Sequence, residues 1–273
     1  TLYGLGEYGP ALLQLERAYA LRTRVNGAAD VATAKCGLAY AAALGSTGDK
    51  QNSAQAYTAS LATLRQGLGR SDPMTIQAML GLASVEMDLQ HFDAALALYR
   101  EVVATVDADR SELESGDYRA IASYAAALRW TGDLDGARVQ YERAVPGLRS
   151  TAGEDHPWTL EAAAGAARLA MFQGRTGDAE SLLRWLAGAR ERVLGPGHAE
   201  TLSSQNDLGL LMLSTGRATE ARAVLEHLLV NAEHTLGADH RTTLKTRFNL
   251  AQSYVLEGRT NEAIALLVPL LEQ

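Results

Sequence analysis

The sequence predicts an all-α protein built as an array of antiparallel helix hairpins, and three observations support this fold class. A period of 42 residues runs through the 273-residue chain, and four columns keep it without an insertion or a deletion. Within each period the apolar residues are spaced by three and four positions, which is typical of helices rather than strands. Alanine and leucine are abundant while aromatic residues make up only 6% of the chain, and this composition favours helix. Together these observations predict about thirteen helices.

The first column marks the turn inside each hairpin. A glycine just past a helix can adopt the left-handed conformation that ends the helix and closes a tight turn. Gln90 departs from this column, so it must adopt the turn at a conformational cost or end its helix in another way. The column consists of Gly6, Gly48, Gln90, Gly132, Gly174, Gly216 and Gly258.

Three further columns hold the residues that pack neighbouring helices together. Small residues seven positions before and five positions after the turn let the helices approach closely, and bulky residues nine positions after it fill the space between hairpins. The small columns are Ala41, Ala83, Ala125, Ala167, Gly209 and Ala251, and Ala11, Ser53, Ala95, Ala137, Ala179, Ala221 and Ala263. The bulky column is Leu15, Tyr57, Tyr99, Tyr141, Leu183, Leu225 and Leu267.

Helix starts are periodic too. In the pairs Asp72-Pro73 and His156-Pro157, a capping residue precedes a proline at the first helical position, where its missing N–H is tolerated. A threonine column, broken only by Asp117, follows the starts: Thr33, Thr75, Thr159, Thr201 and Thr243. The linker 109–116 has lost the pattern, so we expect it to be the most irregular connection.

The repeated unit resembles a known family. Its best example is LGPGHAETL at 194–202, followed by Asn206-Asp207-Leu208-Gly209 and by GRATEA at 216–221. This unit resembles the 42-residue tetratricopeptide repeat of kinesin light chains, and the resemblance covers nearly all of the chain. It implies a right-handed superhelical solenoid with a concave groove, which the first helix of each hairpin lines. Many bacterial regulators carry similar repeats beside other domains.

The repeats predict a single array over 1–273. A partial repeat at 1–26 precedes six repeats near 27–68, 69–110, 111–152, 153–194, 195–236 and 237–273. Because the chain starts at Thr1 without an initiator methionine, we expect it to be a segment of a longer protein. Repeat arrays need polar caps at their ends, and this sequence shows none, so the end faces are expected to stack on further repeats or on other copies.

Composition excludes several function classes. The net charge of −7 and the pI near 5.4 offer no broad basic surface, so we expect no nucleic-acid binding by this region. A single cysteine, Cys36, excludes an internal disulfide, which slightly favours the cytoplasm and leaves the periplasm open. No apolar run reaches the roughly 18 residues of a membrane span, so no membrane insertion by this region is expected.

The sequence also lacks a pattern that carries chemistry. The match Gly4–Gly9 to G-x-G-x-x-G has no preceding strand, and Gly6 is already explained by the turn. His156, His198 and His240 share a repeat column, but residues of successive hairpins lie about 10 Å apart, which suits helix capping better than one metal ion. We therefore expect no enzyme activity, no cofactor and no metal.

The candidate binding residues are carried over from the resemblance, as positions that face the groove. Three arginines in the middle of the array lie near aromatic residues, which would suit a peptide with an acidic group and a bulky apolar side chain. Two asparagines fall where related repeats hold a peptide backbone. For any one residue, the alternative is a solvated inner face. The candidates are Arg119, Arg129, Trp130, Glu161, Arg168, Met171, Phe172, Asn206, Asp207, Lys245, Asn249 and Gln252.

The leading hypothesis is a non-enzymatic protein- or peptide-binding sensor or scaffold region of a larger bacterial regulatory protein, with its ligand in the concave groove. Two alternatives remain open at this point. The uncapped repeat ends could make the region a self-assembly module and a homo-oligomer. The groove arginines could instead serve a sensor of small anionic molecules.

Overall fold

A computed structural model of the chain describes residues 8–268, with side chains from Ala11 onward. In this range it contains thirteen α-helices and no strand, which confirms the predicted class and helix number. The turn residue Gly6 and the start of the Gly4–Gly9 match lie outside the described residues. The helices are α1 (Tyr8–Asn26), α2 (Val31–Ser46), α3 (Lys50–Leu68), α4 (Pro73–Asp88), α5 (Phe92–Asp109), α6 (Ser115–Thr131), α7 (Leu134–Thr151), α8 (Pro157–Phe172), α9 (Thr176–Leu194), α10 (Ala199–Ser214), α11 (Ala218–Leu236), α12 (Arg241–Leu256) and α13 (Thr260–Leu267).

Two compact units make up the chain. Unit 1 comprises residues 1–140 and unit 2 comprises residues 141–273, so the boundary falls inside α7. The core of unit 1 is formed by apolar residues of α2 to α6, with Leu64 and Met79 fully buried. The core of unit 2 is formed by α8 to α12 around Leu202, Leu211 and Leu225. Within each unit, helices that follow one another in the chain pack together as hairpins.

The turn column adopts the predicted backbone. Every described glycine of the column has a positive φ, between 69° and 94°. Gln90 has φ 63° and is the one non-glycine residue with a positive φ among residues 8–268, so it accepts the left-handed turn at a conformational cost. A second column of glycines with a positive φ, which the sequence did not reveal, ends the second helix of the hairpins: Gly27, Gly69, Gly153, Gly195 and Gly237.

The linker between α5 and α6 differs from the others, as predicted. Ser111 stands where the other linkers have a glycine with a positive φ. Asp117, which replaces the column threonine, is only 3% exposed and forms a capping box with Glu114. The Arg110 guanidinium lies 2.7 Å from the Asp117 carboxylate and compensates its charge. An ion pair between a buried carboxylate and a partly exposed arginine therefore takes the place of the usual glycine and threonine.

The bulky column packs against small residues of the next hairpin. A side chain at Gly81 would collide with the ring of Tyr57, and one at Gly165 would collide with the hydroxyl of Tyr141. Each tyrosine therefore fills the space that a glycine leaves on the following helix. In α10 and α12 the equivalent positions are Asp207 and Asn249, and the preceding bulky residues are the shorter Leu183 and Leu225. Because these leucines are shorter than tyrosine, they leave room for the polar side chains of Asp207 and Asn249 in unit 2.

Candidate functional site

The candidate residues fall on four helices and in both units. Arg119, Arg129 and Trp130 lie on α6 in unit 1. The others lie in unit 2, where α8, α10 and α12 are the first helices of successive hairpins. One set therefore lies in unit 1 and the other in unit 2.

In unit 1, the half-buried Arg129 and the exposed Trp130 form an aromatic and basic patch. The Arg129 guanidinium carbon lies 5.7 Å from the centroid of the Trp130 ring, within the range of a cation–π contact. The Trp130 side chain is 74% exposed, although tryptophan is usually well buried. Arg119, about three turns earlier in α6, is also exposed. The patch offers a flat apolar surface beside a positive charge.

In unit 2, the two apolar candidates differ in exposure. Phe172 ends α8 and is 76% exposed, so its ring is accessible to a partner. Met171 is half-buried and packs against the core of unit 2. Phe172 is thus the apolar candidate of this unit that can contact a ligand without rearrangement.

The two asparagines bind each other. Asn249 Nδ2 on α12 donates a hydrogen bond of 3.1 Å to Asn206 Oδ1 on α10, and both residues are buried. The sequence analysis treated them as separate contacts to a peptide backbone. The Nδ2 group of Asn206 and the Oδ1 atom of Asn249 form no hydrogen bond with residues 11–268. The pair therefore leaves one donor and one acceptor, on residues that are only 2% and 6% exposed.

Asp207 is the central charged group of unit 2. It follows Asn206 on α10 and is half-buried. Burial raises the pKa of its carboxyl group, and the positive charges of Arg168, Lys245 and Arg190 offset this only in part. No hydrogen bond from the part of the chain that the structure describes contributes to that pKa. A half-buried carboxylate thus stands among three cations without a direct protein partner.

Arg190 belongs to this group and was missed by the sequence analysis. It lies on α9, a second helix of a hairpin, and is only 9% exposed. Its Nη1 atom donates hydrogen bonds to Ser204 Oγ at 2.7 Å and to the Glu200 carbonyl at 3.2 Å. Burial lowers its pKa, while Glu200 acts in the opposite direction. No groove pattern could reveal Arg190, because it reaches α10 from the other helix layer.

The outer members of the unit 2 set are exposed. Glu161 on α8 lies close enough to Arg190 to affect its pKa. Arg168, Lys245 and Gln252 are exposed on α8 and α12. In the described range, neither Arg168 nor Lys245 forms an ion pair with a carboxylate. The arrangement can accept an acidic group at its edges and a hydrogen-bond donor at Asp207.

The histidine column caps helices. The Nδ1 atoms of His156, His198 and His240 each accept a hydrogen bond from a backbone N–H two residues later, at 3.1 to 3.2 Å. Within residues 8–268, no group of three or more potential ligands is placed to hold a metal ion. In the same range, no helix has the length and apolar character needed to cross a membrane.

Comparisons with known proteins agree with the hairpin architecture. The family model described as tetratricopeptide repeat matches residues 118–191 and 200–268, which is more than half of the chain. None of the curated proteins matches the sequence.

Three solved structures are similar to this chain. A Podosopora anserina protein, described as a kinesin light chain with nearly identical TPR-like repeats, is 26% identical over 71% of this chain and 92% of its own, with a TM-score of 0.64. BtubC (BKLC) from P. vanneervenii is 19% identical over 81% and 89%, with a TM-score of 0.68. YrrB, described as a TPR protein with an unusual peptide-binding site, is 14% identical over 83% and 96%, with a TM-score of 0.54.

Proposed function

Because the chain belongs to the tetratricopeptide repeat family, we propose that it is a non-enzymatic region that binds a protein or peptide along α8, α10 and α12 of unit 2. The family and the similar solved structures support a protein-binding scaffold. The finer proposal is a sensor or scaffold region of a larger bacterial regulatory protein. In that role, ligand binding would change how this region acts on the rest of the protein.

The observation that carries the proposal is the environment of Asp207. Removing a carboxylate from water without a hydrogen-bonding partner is unfavourable, as its raised pKa reflects. A ligand that donates a hydrogen bond to Asp207 would relieve this cost. A backbone N–H or a ligand side-chain donor can do so, and the neighbouring cations can receive an acceptor of the same ligand.

The groove residues suit an extended peptide. The donor and the acceptor left on the Asn206–Asn249 pair match the carbonyl and the N–H of a peptide backbone. Arg168 and Lys245 are exposed and suit an acidic side chain or a terminal carboxylate. Phe172 offers an apolar contact to a bulky side chain. YrrB, whose similarity to this chain is limited to the fold, is described as having a peptide-binding site, and this supports a peptide as the ligand.

The Arg129–Trp130 patch of unit 1 is a separate proposed contact. Tryptophan and arginine are enriched at binding hot spots, and an exposed indole of this size has a strong tendency to be covered by a partner. Variants of this patch therefore belong in the same binding experiments, measured apart from those of unit 2.

The test uses peptides selected by the protein itself. A library of random dodecapeptides would be panned against the chain, and the affinity of selected peptides would be measured by fluorescence anisotropy. We expect the double variant Arg168→Glu/Lys245→Glu to lose at least tenfold in affinity. The double variant Arg22→Glu/Arg100→Glu is the matched control, since it makes the same charge change at exposed residues of unit 1. Equal losses in both variants, or none in either, would contradict a peptide site in unit 2.

A second candidate function, self-association, has its own observation. Asn206 and Leu213 on α10 are 2% and 5% exposed, whereas the equivalent residues on α12, Phe248 and Val255, are 59% and 54% exposed. This apolar face could pack on another copy. Sedimentation at increasing concentration tests the idea, with Phe248→Glu/Val255→Glu as the variant. A dimer with a micromolar dissociation constant would be almost fully formed at about 100 μM protein. If the chain is still a monomer at that concentration, self-association is excluded as its function.

A further inference from the structure

A hollow opens on unit 2 between α9 and α11, with α10 as its floor. Its volume is about 710 Å³, and it is open to solvent. This volume lies in the range of small-molecule sites, roughly 300–1,000 Å³. The residues of α10 that line it are Gln205 and Leu208, whereas Asn206 and Asp207 belong to the groove set. The hollow is therefore distinct from the proposed peptide site.

The hollow is lined by the smallest residue of a packing column. Thirteen positions after the five turns from Gly48 to Gly216 stands a buried aliphatic side chain, and in α9 this residue is Ala187. Replacing leucine or valine by alanine removes two or three carbon atoms from the space between the helices. The column is Leu61, Val103, Val145, Ala187 and Leu229.

A polar group stands at the floor of the hollow. Gln205 occupies the column that holds the fully buried Met79, Ile121 and Ala163 in the three preceding repeats. In the following repeat the column holds another polar residue, the buried Arg247. The side-chain amide of Gln205 makes no hydrogen bond with any residue between 11 and 268. The amide carries two donors and an acceptor, so it can orient a ligand that enters the hollow.

The charges at the rim favour a cation. Arg184 already donates two hydrogen bonds to Glu180, at 3.0 and 2.7 Å. Glu191 is exposed and forms no ion pair within the described part of the chain. Glu191 is the one acidic residue among the lining residues, which also include the exposed His227, so its negative charge is the one available to an ammonium group at this rim.

We propose that this hollow binds a small aromatic amine. The ring would rest on Ala187, Leu208 and Val224, all of which line the hollow. The ammonium group would face the Glu191 carboxylate, and the Gln205 amide would bind a polar edge of the ring. The site needs neither the peptide groove nor the proposed function.

The experiment titrates tryptamine into the whole 273-residue chain and measures binding by calorimetry and by ligand-observed NMR. The probe of opposite charge is indole-3-propionate, which carries the same ring. We expect tryptamine to bind with a dissociation constant below about 1 mM. We expect indole-3-propionate to bind at least threefold more weakly, since exposed charge pairs are worth a few tenths to about 1 kcal/mol.

The decisive variant is Ala187→Leu, which restores the residue type of Leu61 and Leu229 and fills the hollow. We expect it to weaken tryptamine binding at least tenfold. The matched control is Ala97→Leu, which adds the same atoms to an exposed position of α5. If Ala187→Leu disturbs the fold by circular dichroism, Gln205→Met serves instead, because methionine already occupies this column at Met79.

Further variants distinguish binding in the hollow from binding in the peptide groove. The variant Arg168→Glu/Lys245→Glu should bind tryptamine as the unmodified chain does, and Glu191→Gln should weaken it about threefold. Tryptamine bound equally by the unmodified chain and Ala187→Leu would overturn the site. So would the absence of binding at millimolar concentration. Equal binding of both probes would overturn the role of Glu191.

Discussion

Asn249 on α12 and Asn206 on α10 share a buried hydrogen bond of 3.1 Å between equivalent helices of two successive hairpins. Buried side-chain amides of this kind fix the position of one helix on another, because any slip leaves a polar group unpaired. The bond also sets the distance between the groups that the pair leaves for a ligand. Its strength therefore bears on both the stability of unit 2 and the proposed groove.

The first prediction concerns this bond. Asn249→Ala leaves the Asn206 amide buried with an unpaired acceptor, so we expect a loss of about 1–3 kcal/mol in the free energy of unfolding. Urea unfolding followed by circular dichroism measures this loss. In a double-mutant cycle with Asn206→Leu, which introduces the residue of Leu38 and Leu80, the two effects should differ from additivity by at least about 0.5 kcal/mol. Additive effects would mean that the bond contributes nothing.

The sequence predicted backbone geometry better than contacts between helices. The 42-residue period located the helices, the left-handed turns and the histidine caps, because each of these depends on residues close in the chain. It did not predict that Asn206 and Asn249 bind each other, nor that Arg190 approaches Asp207. Those relationships depend on side chains from different helices, and helical spacing gives the face of a residue without its partner.

The sequence also predicted a groove with arginines and aromatic residues in the middle of the array. The structure describes Arg129 and Trp130 in unit 1, and Arg168 and Phe172 in unit 2. A repeat period gives every hairpin the same phase, so it cannot show where a chain divides into compact units. The exchange of Tyr57 and Tyr141 for Leu183 and Leu225 was visible in the bulky column, and it could have indicated the polar residues of α10 and α12.

The second prediction concerns Gln90, whose φ of 63° is in the left-handed region. A residue with a side chain is disfavoured there by about 1–2 kcal/mol relative to glycine. We expect Gln90→Gly to raise the free energy of unfolding by about 0.5–1 kcal/mol after the greater entropy of glycine in the unfolded chain is deducted. Thermal unfolding measures the change. The reciprocal control, Gly132→Gln, should be destabilising, and a stabilising effect there would refute the argument.

The third prediction concerns the ion pair in the linker before α6. Arg110→Ala leaves the buried carboxylate of Asp117 without its cation, so we expect a loss of about 3 kcal/mol in the free energy of unfolding. Asp117→Thr restores the column residue and leaves a partly exposed arginine, so its loss should be smaller. Urea unfolding of both variants gives the order. A larger loss in Asp117→Thr would show that the carboxylate matters mainly as a helix cap.

The fourth prediction concerns pH. Because folding raises the pKa of Asp207 above 3.8, the folded state holds this proton more tightly than the unfolded chain does. The resulting stabilisation is fully present below pH 3.8 and is lost as pH rises through the folded pKa. We therefore expect Asp207→Asn to gain stability relative to the unmodified chain as pH rises from about 4 to 7.

Urea unfolding of both proteins in steps across this range measures the difference in the free energy of unfolding at each pH. Glu161→Gln is the matched control, since it removes one negative charge from an exposed position of α8 in the same unit. A difference that stays constant with pH would show that Asp207 is as well solvated in the folded protein as in the unfolded chain. That result would also remove the main support for a ligand donor at Asp207, because a solvated carboxylate gains little from exchanging water for a peptide N–H.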